Sequence, residues 1–384
     1  MNTKIILISL IISIIFISAC TNLTSEVIKE KEESIKIGAV LPLSGDSAFY
    51  GESAKQGIDV AVKEINSAGG INNKKVEVVY EDSEGTSKGG VSALSKLIHI
   101  DQTEAVIGAV ASSVTLAIAP IAEQNKVVLI SPLSAAPSIT NAGDFIFRNV
   151  PSDNLGGKVA AYFAINGKNW DSIAILYINN EFGKGLKTAF SENIKKLGGK
   201  VIIEQAYPED EKDFKTYITK IKESTPDAIF LISYTEVPLI LTQSKELGLD
   251  YSFFGTGLLE DPNLIENAGE LAEGIYFTQL QYTTDMENSA TQKFVINFKN
   301  KFGVEPNILC AYAYDSMKVL TNAIENVGVY SAEEIKQELY NTKNYNAATG
   351  LISFDENGDV NQPMGVKIIK EGKFEWYIKE IAMT

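Results

Sequence analysis

From residue 35 onward the chain alternates short, wholly apolar runs with longer segments whose apolar positions recur every three or four residues. Residues 35–41 read as a strand that stops at Pro42, and Ser44-Gly45-Asp46 reads as a turn. The helix that follows places Ala54, Ile58, Ala61 and Ile65 on one face and closes at Gly69-Gly70. Strands are predicted over 76–80, 106–110 and 127–130, with helices through Val91–Ile98 and over 115–123 between them. After Pro151 the pattern restarts: a helix over 153–166, strands over 172–178, 200–205 and 228–232, and helices over 185–197, 214–221 and 237–247. Short strands at 253–254 and 275–278 end this second series. Runs that are apolar along their whole length and joined by helices imply parallel sheets covered on both faces. Two such series imply two doubly wound α/β lobes.

The last hundred residues break the alternation. Helices are expected over 287–301, 307–326 and 332–340, then strands over 351–354, 365–369 and 374–378. Asp355-Glu356-Asn357-Gly358 is a hairpin-type turn signal between the first two of these strands. The helices are expected to complete the first lobe and the strands to pack on the second, which makes both lobes discontinuous.

Before residue 35 the pattern changes character. Lys4 precedes a run over 5–17 that is apolar except for Ser9 and Ser13, the length of a signal-peptide core and too short for a usual membrane span. It ends in Ile17-Ser18-Ala19-Cys20, which resembles the lipobox of secreted lipoproteins. That resemblance implies cleavage before Cys20, acylation of its thiol and an extracytoplasmic, membrane-anchored protein. A plain signal peptide cleaved near Ala19, or an uncleaved anchor, are the alternatives. Residues 20–34, rich in Ser, Thr, Lys and Glu, read as a tether. The other cysteine, Cys310, sits in an apolar string and reads as a buried thiol, so no disulfide staples the body.

Composition narrows the function. A formal net charge of −15 repels nucleic acid, and a single histidine, His99, leaves no multi-histidine metal site. The chain has no dinucleotide-binding glycine fingerprint after its first strand, no phosphate loop, no Cys-x-x-Cys and no nucleophile elbow. His99, at the end of a helix, reads as structural. Neither a cofactor nor an enzymatic activity is expected.

Several segments carry a resemblance in their order and spacing. They are Gly38-Ala39-Val40-Leu41-Pro42-Leu43-Ser44-Gly45 leading into Tyr50-Gly51, then Glu64-Ile65-Asn66-Ser67-Ala68-Gly69-Gly70-Ile71. Ile107-Gly108 before Ser112-Ser113, Ile130-Ser131-Pro132, Phe147-Arg148 and Phe182-Gly183-x-Gly185 follow. Together they resemble the type I periplasmic solute-binding proteins of the branched-chain amino acid uptake group over residues 35–380. The resemblance implies two Rossmann-like lobes with crossovers near 150, 281 and 349, a ligand in the cleft between them, and delivery to an ABC permease driven by its ATPase. The lobes would comprise 35–150 plus 282–348, and 151–281 plus 349–384, behind a signal peptide over 1–19. It also implies a monomer that does no chemistry itself. Relatives of the same fold act as receptor sensor domains, which is the alternative role; an enzyme is the remote one.

The cleft can also be argued physically, since ligands of doubly wound sheets sit beyond the carboxyl ends of the strands. Val110-Ala111-Ser112-Ser113 follows one strand and opens a helix, so its amides and hydroxyls suit a carboxylate. By the resemblance Ser112 grips that carboxylate; the plain alternative is that Ser112 or Ser113 only caps the helix. The resemblance also places the carbonyl of Leu133 and the side chains of Tyr50, Phe182 and Tyr234 at the ligand. Phe182 stands where the family has tyrosine, and Ala135 where amino-acid binders have a carboxylate-binding threonine, with Ser134 adjacent. Gly257 falls on the position of the family's ammonium-binding glutamate. Either Glu260 or Asp261 replaces that charge, or the ligand has no ammonium and is a carboxylate, an amide or another small organic solute. The second choice is favoured, with a branched-chain amino acid behind it.

Overall fold

The computed structural model describes residues 34–381. The signal peptide, Cys20 and nearly all of the tether lie outside the described residues. The first series folds as β1 (Ile35–Leu41), α1 (Ala48–Ser67), β2 (Val76–Asp82), α2 (Ser87–His99), β3 (Ala105–Gly108), α3 (Ser112–Asn125), β4 (Val128–Ser131) and β5 (Ile146–Arg148). Its strands form one parallel sheet in the order β2-β1-β3-β4-β5. Alternate residues of each strand serve opposite faces, as the two-residue strand period requires. Ile107, Ile130 and Phe147 join a core under α1, whereas Val106, Leu129 and Ile146 join another under α2 and α3.

The second series runs α4 (Asp153–Tyr162), β6 (Ser172–Ile178), α5 (Glu181–Lys196), β7 (Lys200–Tyr207), α6 (Lys215–Ser224), β8 (Ala228–Ile232), α7 (Val237–Glu246), β9 (Ser252–Gly255), α8 (Pro262–Ala268) and β10 (Tyr276–Leu280). The order β7-β6-β8-β9-β10 repeats the winding of the first sheet. Then come α9 (Ser289–Phe302), α10 (Ile308–Val327), α11 (Ala332–Asn341), β11 (Tyr345–Ala347), β12 (Gly350–Ile352), β13 (Met364–Lys370) and β14 (Lys373–Ile378). The three helices return to the first lobe, where Phe294, Met317, Leu320 and Ile335 enter its core. Helix α10 lies close against α1 because position 57 is glycine: a β-carbon there would sit 2.0 Å from the Cys310 carbonyl oxygen. Cys310 itself is buried, and burial pushes its thiol up to about 12, which keeps it protonated and inert.

One expectation is corrected. Strands β13 and β14 join the second sheet, β13 antiparallel to β10 and β14 antiparallel to β13, but residues 350–360 do not pack on the second lobe. Strand β12 pairs with β11, and Ile352, Phe354 and Val360 lie in the core of the first lobe. Two buried polar anchors hold this segment there. Asp315 of α10 accepts the amides of Ala348 (2.7 Å) and Thr349 (2.8 Å). Asp359 takes a two-pronged ion pair from fully buried Arg148 (2.6 and 2.5 Å). The chain therefore reaches the second sheet only at Met364, past the crossing expected near 349. The turn at 355–358 closes on a Phe354–Val360 bridge rather than between two long strands.

Candidate functional site

Both sheets point the carboxyl ends of their strands, and the helix starts that follow, into one cavity of about 670 Å³, a size within the usual span of small-molecule sites. Among the first lobe's contributions are Tyr50, Val110, Ala111, Ser112, Leu133 and Ala135. The second lobe adds Asp153, Phe182, Tyr234, Glu236, Gly257 and Gln279. Tyr50, Val110, Ala111, Ser112, Leu133, Ala135, Phe182, Tyr234 and Gly257, all singled out from the sequence, meet here, whereas Ser134 does not. That hydroxyl is buried inside the first lobe, bonded to Thr115 Oγ1 (2.8 Å) and to the carbonyls of Ala109 and Val110, so it does not stand in for the hydroxyl missing at Ala135.

Helix α3 starts bare. Its N-cap is Ala111, which has no side chain to accept the first amides, and Ser112 is already the first helical residue. Capping therefore does not explain Ser112. Its oxygen accepts the Ala136 amide (3.2 Å), which leaves the O–H free to donate. A helix start with uncapped amides and a free hydroxyl favours an anion.

The walls are aromatic. Phe182 stacks on Tyr234 with ring centroids 5.3 Å apart, and Tyr50 of the first lobe meets Tyr234 of the second edge-on at 6.0 Å. Burial raises both phenols far above their ordinary range, so both keep their protons as donors. Another cross-lobe contact involves Gly185 of α5, where a β-carbon would come within 2.6 Å of Pro137 in the first lobe.

Carboxylates dominate the polar lining: Asp46, Glu84, Asp153, Glu209, Asp210 and Glu236 face a lone lysine, Lys212. Asp153, the first residue of α4, is the unusual one. Its amide is held by the Ala135 carbonyl (2.8 Å), yet its Oδ2 is buried and takes no hydrogen bond. Burial lifts its carboxyl to about 7, against the opposing pull of Arg148. Glu260 and Asp261 do not line the cavity. Glu260 is tied to Lys367 and to Gln279, and Asp261 caps α8 through the Asn263 amide (2.9 Å). Gly257 lines the cavity, but the space its side chain would occupy is filled by the Gln279 amide.

Asp153, Gln279 and the floor residues Leu280 and Tyr312 were not found from the sequence. Ser152-Asp153 before a helix reads as ordinary capping, and nothing in the local pattern signals a desolvated carboxylate.

The family model for periplasmic binding proteins matches residues 34–373. A leucine-, isoleucine-, valine-, threonine- and alanine-binding protein of Pseudomonas aeruginosa is 30% identical over 85% of this chain and 87% of its own. Among solved structures, a leucine-binding protein of Thermotoga maritima is 32% identical, covering 89% of this chain and 97% of its own at a TM-score of 0.84. A branched-chain amino acid transporter substrate-binding protein of Streptococcus pneumoniae, in complex with isoleucine, is 29% identical, covering 89% and 98% at a TM-score of 0.82.

Proposed function

Because the chain belongs to the periplasmic binding proteins, as a solute-binding protein of an ABC transporter and not an enzyme, we propose that its solute is an α-amino acid taken up as a zwitterion. The observation that carries this is that one cavity brings together an uncapped helix start with Ser112 and the carboxylate of Asp153, whose Oδ2 is buried without a hydrogen-bond partner. The first suits the α-carboxylate and the second the α-ammonium. The expectation of a solute without an ammonium draws on Gly257, Ala135 and Phe182; against it, Asp153 supplies from another element the charge that Gly257 lacks. The aromatic wall of Tyr50, Phe182 and Tyr234 takes an aliphatic side chain, worth about 1.5–3 kcal/mol on burial. The names of the relatives, which speak of leucine, isoleucine and valine, agree in class.

Calorimetry with leucine, isoleucine and valine beside their 2-oxo acids tests the reading. The amino acids should bind at least tenfold more tightly; equal or tighter binding of the oxo acids would overturn it. Ser112→Ala should weaken binding by about tenfold or more, the worth of one hydrogen bond to a charged group at about 1.5–3 kcal/mol, with the melting curve unchanged.

The cross-lobe contacts of Tyr50 with Tyr234 and of Gly185 with Pro137 belong to a closed cleft, so ligand is expected to close the lobes about the crossovers. Scattering should show a smaller radius of gyration with ligand for the natural protein. Gly185→Val should abolish that compaction and weaken binding, because its side chain would meet Pro137 before closure is complete. Compaction that survives in the variant would remove Gly185 from the closing surface. Delivery to a permease, anchoring through acylated Cys20 and a monomeric state complete the proposal. A mature N-terminus with an unmodified Cys20, read by mass spectrometry, would end the anchoring part.

A further inference from the structure

We propose that Gln279 is a specificity-determining residue, its Oε1 being a second, neutral acceptor offered to the ligand's ammonium beside the Asp153 carboxylate, with Glu260 and Lys367 fixing the amide in that orientation. The inference rests on the amino-acid reading above. Gln279 lies at the end of β10, lines the cavity and is only 3% exposed. Its amide occupies the place of a side chain at position 257: a β-carbon built on Gly257 would lie 2.5 Å from Oε1 and 2.9 Å from Nε2. The glycine and the glutamine are therefore one feature. The first vacates a piece of the cavity wall and the second fills it from the neighbouring strand with a neutral amide.

The amide has only one workable orientation. Both donors of Nε2 are used, by the Gly257 carbonyl (3.2 Å) and by Glu260 Oε2 (2.8 Å). Oε1 accepts the Leu280 amide (2.9 Å) and keeps a second lone pair. Turning the amide over would set its oxygen against a carboxylate and a carbonyl, and would face two N–H groups together at Leu280. Glu260 is itself held by Lys367, which is buried and sits 4.9 Å from the centre of the Trp376 ring. The Glu260 charge is thus balanced outside the cavity, and what it transmits inward is the direction of the Gln279 amide. An acceptor-only face selects a ligand with N–H groups and disfavours one with a carbonyl in the same place.

The test uses the full-length mature protein and two probes. One is whichever of the twenty proteinogenic L-amino acids raises the melting temperature most; the other is the 2-oxo acid of the same skeleton. Gln279→Met keeps the length and removes the acceptor. It should weaken the amino acid about tenfold and leave the oxo acid within twofold or tighter. Glu260→Gln frees the amide to turn and should shrink the same ratio by about two- to fivefold without touching the cavity lining. A general loosening of the wall would weaken both probes alike, so an unchanged ratio in both variants would overturn the proposal. If the natural protein prefers the oxo acid, the zwitterion reading falls first, and the Gln279 assignment is then overturned unless Gln279→Met tightens that probe. If no amino acid binds, both fall.

Discussion

Replacing Arg148 by methionine should destabilise the first lobe by about 3–5 kcal/mol, the cost of leaving one partner of a buried ion pair uncompensated. Arg148 is fully buried, and all of its nitrogens are spoken for. Nε and one terminal nitrogen pair with Asp359, the same nitrogen donates to Thr140 Oγ1 (2.6 Å), and the other donates to the carbonyls of Ala135 and Ala136 (3.1 and 2.8 Å). One side chain therefore fastens the cleft loop that carries Leu133 and Ala135 to a turn 211 residues further on. That turn completes the edge of the sheet, where Gly358 accepts the Arg148 amide and lies too close to Ile146 for any side chain. Methionine fills much of the volume but strips the Asp359 carboxylate of its cation, leaving it the Thr140 hydroxyl (2.7 Å), and leaves two carbonyls without their donors. Urea unfolding followed by a probe in the first lobe checks the value, since a two-lobed chain need not unfold in one step. Pairing Arg148→Met with Asp359→Leu should recover part of the loss, because no buried charge then remains. A single-variant loss below about 1 kcal/mol would mean the pair is solvated and the anchor is elsewhere.

The same ion pair marks the limit of what the sequence discloses. Strands such as 35–41 and 172–178, and helices such as α1, are written in runs and periods of neighbouring residues, so both series could be read directly. The site edges followed, because a doubly wound sheet fixes where the loops gather. Three short elements escaped: β5 and β11 have three residues each and α8 seven, too few for a period to register. The segment 350–360 was placed on the wrong lobe for a different reason. Its apolar pattern fits either core, and the choice is made by Asp315 and Arg148, polar groups whose partners are tens to hundreds of residues away. Gln279 is hidden in the same manner, since its meaning depends on Gly257 lying beneath it. Short-range patterns specify elements, and long-range polar pairing specifies how the last of them are distributed and how the cleft is charged.

Amino-acid binding should release a proton below neutrality, and Asp153→Asn should abolish that release while weakening binding by about 100-fold. In the closed cleft with no cation beside it, burial holds the Asp153 carboxyl at about 7, above its ordinary 3.8. Raised in the fold, it contributes stability that is fully present below the unfolded value and lost as pH rises through about 7, because the unfolded chain ionises it first. A ligand ammonium reverses the balance, since an opposite charge inside the cavity favours the carboxylate and brings the carboxyl back down. Between about pH 4 and 7 binding must then expel the proton. Affinity should climb with pH by up to tenfold per unit across that window and level off above it. Calorimetry at pH 6 in two buffers of different ionisation enthalpy reads the proton count directly. Asp315 is held at about 7 as well, but it is enclosed by Ala348 and Thr349 and does not line the cavity. The Asp153→Asn variant separates the two, because it leaves the Asp315 proton in place. The asparagine should also stabilise the closed cleft without ligand at pH 8, where Asp153 Oδ2 is buried without a hydrogen-bond partner. An affinity that is flat from pH 5 to 8, with no buffer dependence, would show that no cation reaches Asp153 and that the solute is held without it.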